Sequence, residues 1–290
     1  MELFQYPYMQ RALIGALIIG LAAPALGIYL VQRRLALIGD GVGHVALTGV
    51  GAGLLLNRSP VLVAVLVATA GAVTIELVRA RGRTSGDLAL ALLFYGGIAG
   101  GVTLVGLSDS TSVSLNSYLF GSLSTITPAD LTTIAVLGAT IAVTMLALRP
   151  ALFAVCHDEE YARVSGLPVR TLNLLLAVAT AVTVTIAMRA VGVLLISALM
   201  VVPVATAQQV TRGFRSTMTA AMALGLFAAG AGVWVAANAD TAPGASVVLM
   251  AIASFGVVAI LGAAWRVLRR RRTPEAAPAP EPEPHEVVLH

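Results

Sequence analysis

Apolar runs of about 20 residues recur along the chain, separated by short polar stretches that carry Arg, Asn, Gly or Pro. A helix rises roughly 1.5 Å per residue, so about 20 apolar residues cross the hydrocarbon core of a bilayer. The pattern predicts spans at 12–32, 37–56, 60–78, 87–107, 128–148, 171–188, 192–210, 217–237 and 245–265. The fold class is therefore all-α, a polytopic transmembrane helical bundle of eight to nine spans. The count depends on whether 190–207 crosses or is re-entrant. Residues 108–127 are too polar for a full span and read as an outer loop with a short, partly embedded helix. The membrane domain covers 1–270. Residues 271–290 (RRTPEAAPAPEPEPHEVVLH) form a Pro/Glu-rich cytoplasmic tail with too little apolar surface to fold, so disorder is expected there. The first run lacks the basic lead of a cleavable signal and reads as a retained helix.

Composition supports lipid as the solvent. Charged residues make up 11% of the chain, against about 25% in soluble domains. Every basic residue is Arg, and there is no Lys. That excludes a Walker A loop, which needs a Lys on the β and γ phosphates, and a Schiff-base lysine. ATP hydrolysis, if it drives this protein, occurs on another chain. The net charge of +4 is no nucleic-acid signal, because the Arg residues sit at the ends of apolar runs. With the N-terminus placed outside, all of them fall on the inner side except Arg11, Arg58 and Arg189. This positive-inside asymmetry places the C-terminus in the cytoplasm. Cys156 is the only cysteine, so no intramolecular disulfide forms.

The second span, LIGDGVGHVALTGVGAGLLL, carries the candidate chemistry. Asp40 and His44 are four residues apart and share a helix face, with Thr48 one turn further. Ionisable groups inside a span are costly and usually face a cavity or the bundle interior. A carboxylate and an imidazole suit Zn²⁺, Mn²⁺ or Fe²⁺ without discriminating well among them. Two such helices facing each other across a dimer would supply two Asp and two His. A structural Asp–His pair that holds helices together is the other reading. The same span carries Gly39, Gly41, Gly43, Gly49, Gly51 and Gly53. Gly39/Gly43 and Gly49/Gly53 are small-xxx-small pairs of the kind that let helices pack closely in lipid.

The most polar internal stretch is CHDEEYARVSGLP, 156–168. Adjacent residues rarely converge on one ion, so it reads as a short amphipathic helix rather than a metal cluster, with an ordinary cytoplasmic loop as the other reading. Asp158 caps it and Gly166-Leu167-Pro168 ends it, on the cytoplasmic side where a soluble partner could dock. Pro203, inside an apolar run, implies a kink or break, and the run around it reads either as a routine Pro-kinked span or as a gate element. His285 and His290 lack the H-E-x-x-H spacing of zinc proteases. No Gly-x-Ser-x-Gly elbow supports a Ser–His protease.

Several ordered blocks resemble the permease subunits of zinc/manganese/iron ABC importers, over about 5–270. They are RALIGALIIGLAAPALGIYLVQRRLALIGDGVGHVALTGVGAG, the segment 116–130, DEEYARVSGLPV at 158–169 and AMRAVGVLLISALMVVPVATA at 187–207. Gly39, Asp40, His44 and Gly49 fit the family's Gly-Asp-x-x-x-His-x-x-x-x-Gly core. The resemblance implies the metal-uptake type of ABC permease, a transport subunit rather than an enzyme, in a bacterial cytoplasmic membrane. It implies a homodimer, two cytoplasmic ATPase subunits and an extracytoplasmic metal-binding protein. It also implies that Asp40 and His44 line the metal path, with Gly39, Gly43 and Thr48 beside them. Asp158, Glu159, Glu160, Gly166, Leu167 and Pro168 would form the coupling element on the ATPase. The metal is cargo and no resident cofactor is expected. GIYLVQRR and GDGVGHVALTGVG look most like zinc-uptake members, with manganese next.

Overall fold

A computed structural model describes residues 6–80, 86–108, 115–122 and 126–272. Among them are twelve α-helices and no strand. Nine are long: α1 (Pro7–Gln32), α2 (Ile38–Leu55), α3 (Pro60–Ala80), α4 (Gly86–Leu107), α6 (Pro128–Ala147), α9 (Val169–Ala187), α10 (Val193–Val210), α11 (Phe214–Ala239) and α12 (Pro243–Arg272). Three are short: α5 (Leu115–Phe120), α7 (Arg149–His157) and α8 (Glu159–Val164). Eight of the long helices are long and apolar enough to cross a membrane, and α10 is the ninth long helix. All nine expected spans are therefore present as helices, and among the described residues of the polar 108–127 stretch the short α5 is the one helix. Two differences stand out. Helix α10 runs unbroken through Pro203. Helix α12 continues to Arg272, so Arg271 and Arg272, assigned to the tail from sequence, are helical. The rest of the expected disordered tail, 273–290, lies outside the described residues.

Glycine sets the packing of α2. Gly39 and Gly43 face Ser197 and Val193 of α10. Gly49 and Gly53 face Ala64 and Pro60 of α3. Gly41 and Gly51 meet Leu93 and Leu104 of α4, and Gly97 of α4 lies against the backbone at His44. Without side chains at these positions, backbones approach closely and dispersion contacts replace the missing hydrophobic drive between helices in lipid. The two small-xxx-small pairs thus serve two different neighbours. Ten residues of helix turn the second pair well away from the first.

A similar contact fixes α1. Pro24 has no N–H for the carbonyl of Gly20. That carbonyl lies against Gly225 of α11, and Gly27 lies against the main chain of Met200 in α10. Outward faces are apolar, as at Leu62 and Leu66 of α3, Val136 and Val143 of α6, and Ile260 and Leu261 of α12. Such faces suit lipid.

The helix ends sort into two groups. At one end, Tyr29 of α1 meets Phe214 of α11 at 5.5 Å between ring centroids, and Phe153 of α7 meets Phe214 at 4.8 Å. Arg33, following α1, bonds Glu159 of α8 and Asn173 of α9 there. At the opposite end, Asp130 of α6 pairs with Arg189 in the α9–α10 turn at 2.9 Å. Asp130 also closes a capping box with Thr127. Gly192, at φ 95°, fits against Leu119 and Phe120 of α5, and Gly244 of α12 fits against Val191. The second group holds Arg58 and Arg189, while the first holds Arg33, Arg34, Arg79, Arg149, Arg163, Arg170, Arg212 and Arg215.

Candidate metal path and coupling segment

Asp40 sits in the first turn of α2, half-buried. It borders a groove of about 260 Å³ with Leu37, Leu90, Ala91, Phe94 and Tyr95. His44, one turn on, is 7% exposed. Its ring meets the edge of Phe94 at 4.4 Å and 78°. The Nδ1 atom is buried and makes no hydrogen bond. Thr48 donates to the Gly97 carbonyl at 2.8 Å, so its hydroxyl holds α4 against α2. The shared face of Asp40, His44 and Thr48 is thus the face α4 covers.

Ser197 was not singled out from sequence, where a Ser within an apolar run carries little signal. Its buried Oγ also lacks a hydrogen-bond partner, and it is the atom nearest the Cβ position of Gly39. The buried threonines of α9 and α10 behave differently. Thr180, Thr183, Thr185 and Thr206 each bond the carbonyl four residues back, at 2.7–2.8 Å. Among the described residues, no three His, Cys, Asp or Glu side chains come together. Asp40 and His44 are a pair within this chain, and the 156–160 stretch forms no metal cluster.

Helices α7 and α8 follow α6 at the arginine-rich end. The sequence pattern assigns no element to 149–155, where most of α7 lies. Its signal was weak: Pro150 in the first turn and two buried side chains, Leu152 and Val155, three apart. Asp158 caps α8 by accepting from the Tyr161 N–H at 2.9 Å. Gly166, at φ 81°, ends it. The Gly166 and Leu167 N–H groups bond the Arg163 and Ala162 carbonyls at 3.1 Å, the Schellman arrangement. Leu167 packs on the core and Pro168 starts α9. Glu160 is exposed, as are Tyr161 and Val164. Glu159 instead turns to its own chain, accepting from Arg33 at 3.0 Å and Arg163 at 3.2 Å.

Cys156 of α7 lies behind this segment, with its thiol directed at the Tyr29 carbonyl, 3.8 Å away. Burial pushes the thiol up to about 11 from 9.0. The thiolate reacts, so that shift lowers reactivity near neutral pH by roughly 100-fold. Maleimide modification of the folded protein at pH 7.5 is expected to be slow by that factor. It should rise about tenfold per pH unit on the way to pH 11 and become fast on unfolding. Rapid labelling at pH 7.5 without unfolding would contradict the burial.

The fold and its polar residues define a class first: an all-helical, multi-pass membrane protein with a charged segment at one end and one Asp–His pair in a span. The ABC 3 transport family matches the chain over residues 5–262. The chain belongs to that family, and is the membrane subunit of an ABC transport system rather than an enzyme. It is similar to the high-affinity zinc uptake system membrane protein ZnuB of Haemophilus influenzae, 30% identical over 82% of this chain and 91% of that one. It is 29% identical to the manganese transport system membrane protein MntC of Halalkalibacterium halodurans, over 93% and 92%. It is 30% identical to the chelated iron transport system membrane protein YfeD of Yersinia pestis, over 97% and 94%. The structure of PsaBC from Streptococcus pneumoniae in complex with Fab superposes with a TM-score of 0.82, at 26% identity, over 92% of this chain and 97% of that chain.

Proposed function

We propose that this chain is the permease of an ATP-driven importer that carries a divalent transition metal into the cytoplasm, Zn²⁺ by preference. The observation that carries the reading is the buried, unpaired Nδ1 of His44 one turn from Asp40, in a family whose relatives above carry zinc, manganese and iron names. A carboxylate and an imidazole on one span give a cation an oxygen and a nitrogen. Two copies of the chain, as a homodimer, bring two of each. Few ligands per copy also let the ion leave again, as transport requires. The ion is cargo, and no resident cofactor is needed.

With no Lys for a Walker A loop, the energy comes from two ATPase subunits on the cytoplasmic side. Helix α8 and the turn Gly166-Leu167-Pro168 are their dock, with Tyr161 and Val164 outermost. A metal-binding protein delivers the ion at the opposite end. The arginine-rich end faces the cytoplasm of the bacterial inner membrane, as does the C-terminus.

The deciding experiment is uptake into vesicles that hold the reconstituted complex. Zn²⁺ should enter only with ATP on the ATPase side and the binding protein outside, and excess Zn²⁺ should compete better than Mn²⁺ or Fe²⁺. Uptake driven by an ion gradient without ATPase would make the chain a secondary carrier. Better competition by Mn²⁺ would reassign the cargo. Orientation has its own expected result. A Cys at Val164, in a Cys156→Ser background, should react with an impermeant maleimide in inside-out vesicles and stay unlabelled in intact cells.

A further inference from the structure

Glu159, unlike the exposed Glu160, directs its carboxylate to arginines of its own chain, although its side chain is still 40% exposed. It is bound within its own chain. Its Oε2 accepts from Arg33 at 3.0 Å, and the Arg33 side chain is only 9% exposed. The other arm of the same guanidinium donates to Asn173, which is buried in α9. A charge so nearly buried is tolerated only while its partners stay in place. Separating the two would take from the Arg33 charge the one carboxylate it is bonded to and leave it the neutral Asn173, so Arg33 and Glu159 tend to move together.

The chain position of Arg33 gives this pair its consequence. Arg33 ends α1, and Arg34, at φ 58°, turns the chain toward α2. Helix α2 begins at Ile38, and Asp40 lies in its first turn. The pair therefore joins α8 directly to the turn that carries the metal-path helix. Glu159 borders a cleft of about 600 Å³, lined also by Glu76, Arg79 and Arg170, and both members of the pair border a second cavity of about 330 Å³. That second cavity leaves the pair unpacked on one side.

We propose that the Arg33–Glu159 pair is the strut through which movement of α8 reaches the α1–α2 turn, and so Asp40 and His44. Glu159 is then a positioning residue acting inside the permease, and the contacts with the ATPase fall to its exposed neighbours. This inference rests on the reading of α8 as the ATPase dock.

The test uses the full complex with its ATPase in proteoliposomes. Zn²⁺ moved per ATP hydrolysed and melting temperature are measured on Arg33→Glu, Glu159→Arg and the double swap. Each single variant should lower the ratio at least about tenfold, and the swap should return it to within about threefold of wild type. Glu159→Gln, which keeps the shape of the side chain but not its charge, should fall between. A second readout needs no transport. With Cys156→Ser and Leu37→Cys, maleimide labelling of the α1–α2 turn should change when ATP binds. That change should vanish in the single variants and return in the swap.

Full coupling in Glu159→Gln and in the single variants would overturn the strut. So would a swap that melts like wild type yet stays uncoupled. If ratio and melting temperature fall and recover together, the pair is a static brace and the proposal fails. A wild-type complex that moves no metal would refute the functional reading instead, and the labelling readout would still decide the strut.

Discussion

Asp40→Asn and His44→Ala are each expected to lower Zn²⁺ uptake by the reconstituted complex by about 100-fold or more. Loss of a group that only orients a metal ligand already costs 10–100-fold in affinity or activity, roughly, and these two are proposed as ligands themselves. Asp40→Asn keeps the shape of the side chain and removes the charge that offsets the cation. His44→Ala removes the nitrogen whose Nδ1 is buried and unpaired. Assembly with the ATPase should persist in both.

The competing role is packing, and the structure sharpens it. His44 lies under α4, its ring 4.4 Å from Phe94. If it only fills that space, His44→Ala leaves a cavity and lowers the melting temperature by a few degrees or more. Asp40→Asn, half-buried at the groove edge, should then be silent. Uptake and melting measured on the same preparations separate the two roles. Normal uptake in either variant removes that residue from the path.

The second large effect is structural. Gly27→Leu is expected to leave no folded permease. A Cβ at Gly27 would collide with the main chain of Met200, where α1 crosses α10. Flexible side chains can step aside, but a helix backbone cannot do so without moving its other contacts. Even Gly27→Ala should cost about 1–3 kcal/mol or more, the usual range for overpacking a tight core. Gly256→Leu on α12 is the control, because nothing lies within 4 Å of its Cβ position. Monodispersity in detergent and melting temperature read both. A well-folded Gly27→Leu would show that the α1–α10 contact is softer than its geometry.

Much of this fold was legible because lipid imposes a simple rule. Backbone polar groups have no water to bond, so apolar runs of spanning length become helices. The rule located all nine long helices, and only their ends differ. Helix α1 starts at Pro7 rather than near Ala12, and α11 and α12 run beyond 217–237 and 245–265. Hydropathy marks where lipid ends, whereas caps and neighbours decide where a helix ends. Asp158 and Gly166 were legible as punctuation for the same reason in reverse. A capping carboxylate and a glycine at positive φ act within one turn, so sequence alone carries them. Of the kink or break read at Pro203, the break is absent, because a proline interrupts one hydrogen bond without ending a helix that its neighbours hold.

The sequence by itself determined that this chain lives in a membrane, how many long helices it has, and that Asp40 and His44 share a face near one end of the second. It determined the sorting of arginines, which needs only alternation. It did not determine partners. That Gly39 and Gly43 serve α10 while Gly49 and Gly53 serve α3 follows from where those helices cross, not from the glycine spacing. That α4 covers His44, and that Ser197 keeps an unpaired hydroxyl beside Gly39, depends on side chains far apart in the chain. The Arg33–Glu159 pair joins residues 126 positions apart, and no local pattern marks either for the other. Spacing along one helix is set by local geometry. Contacts between helices are set by the packing of the whole bundle, which exists only once the chain has folded.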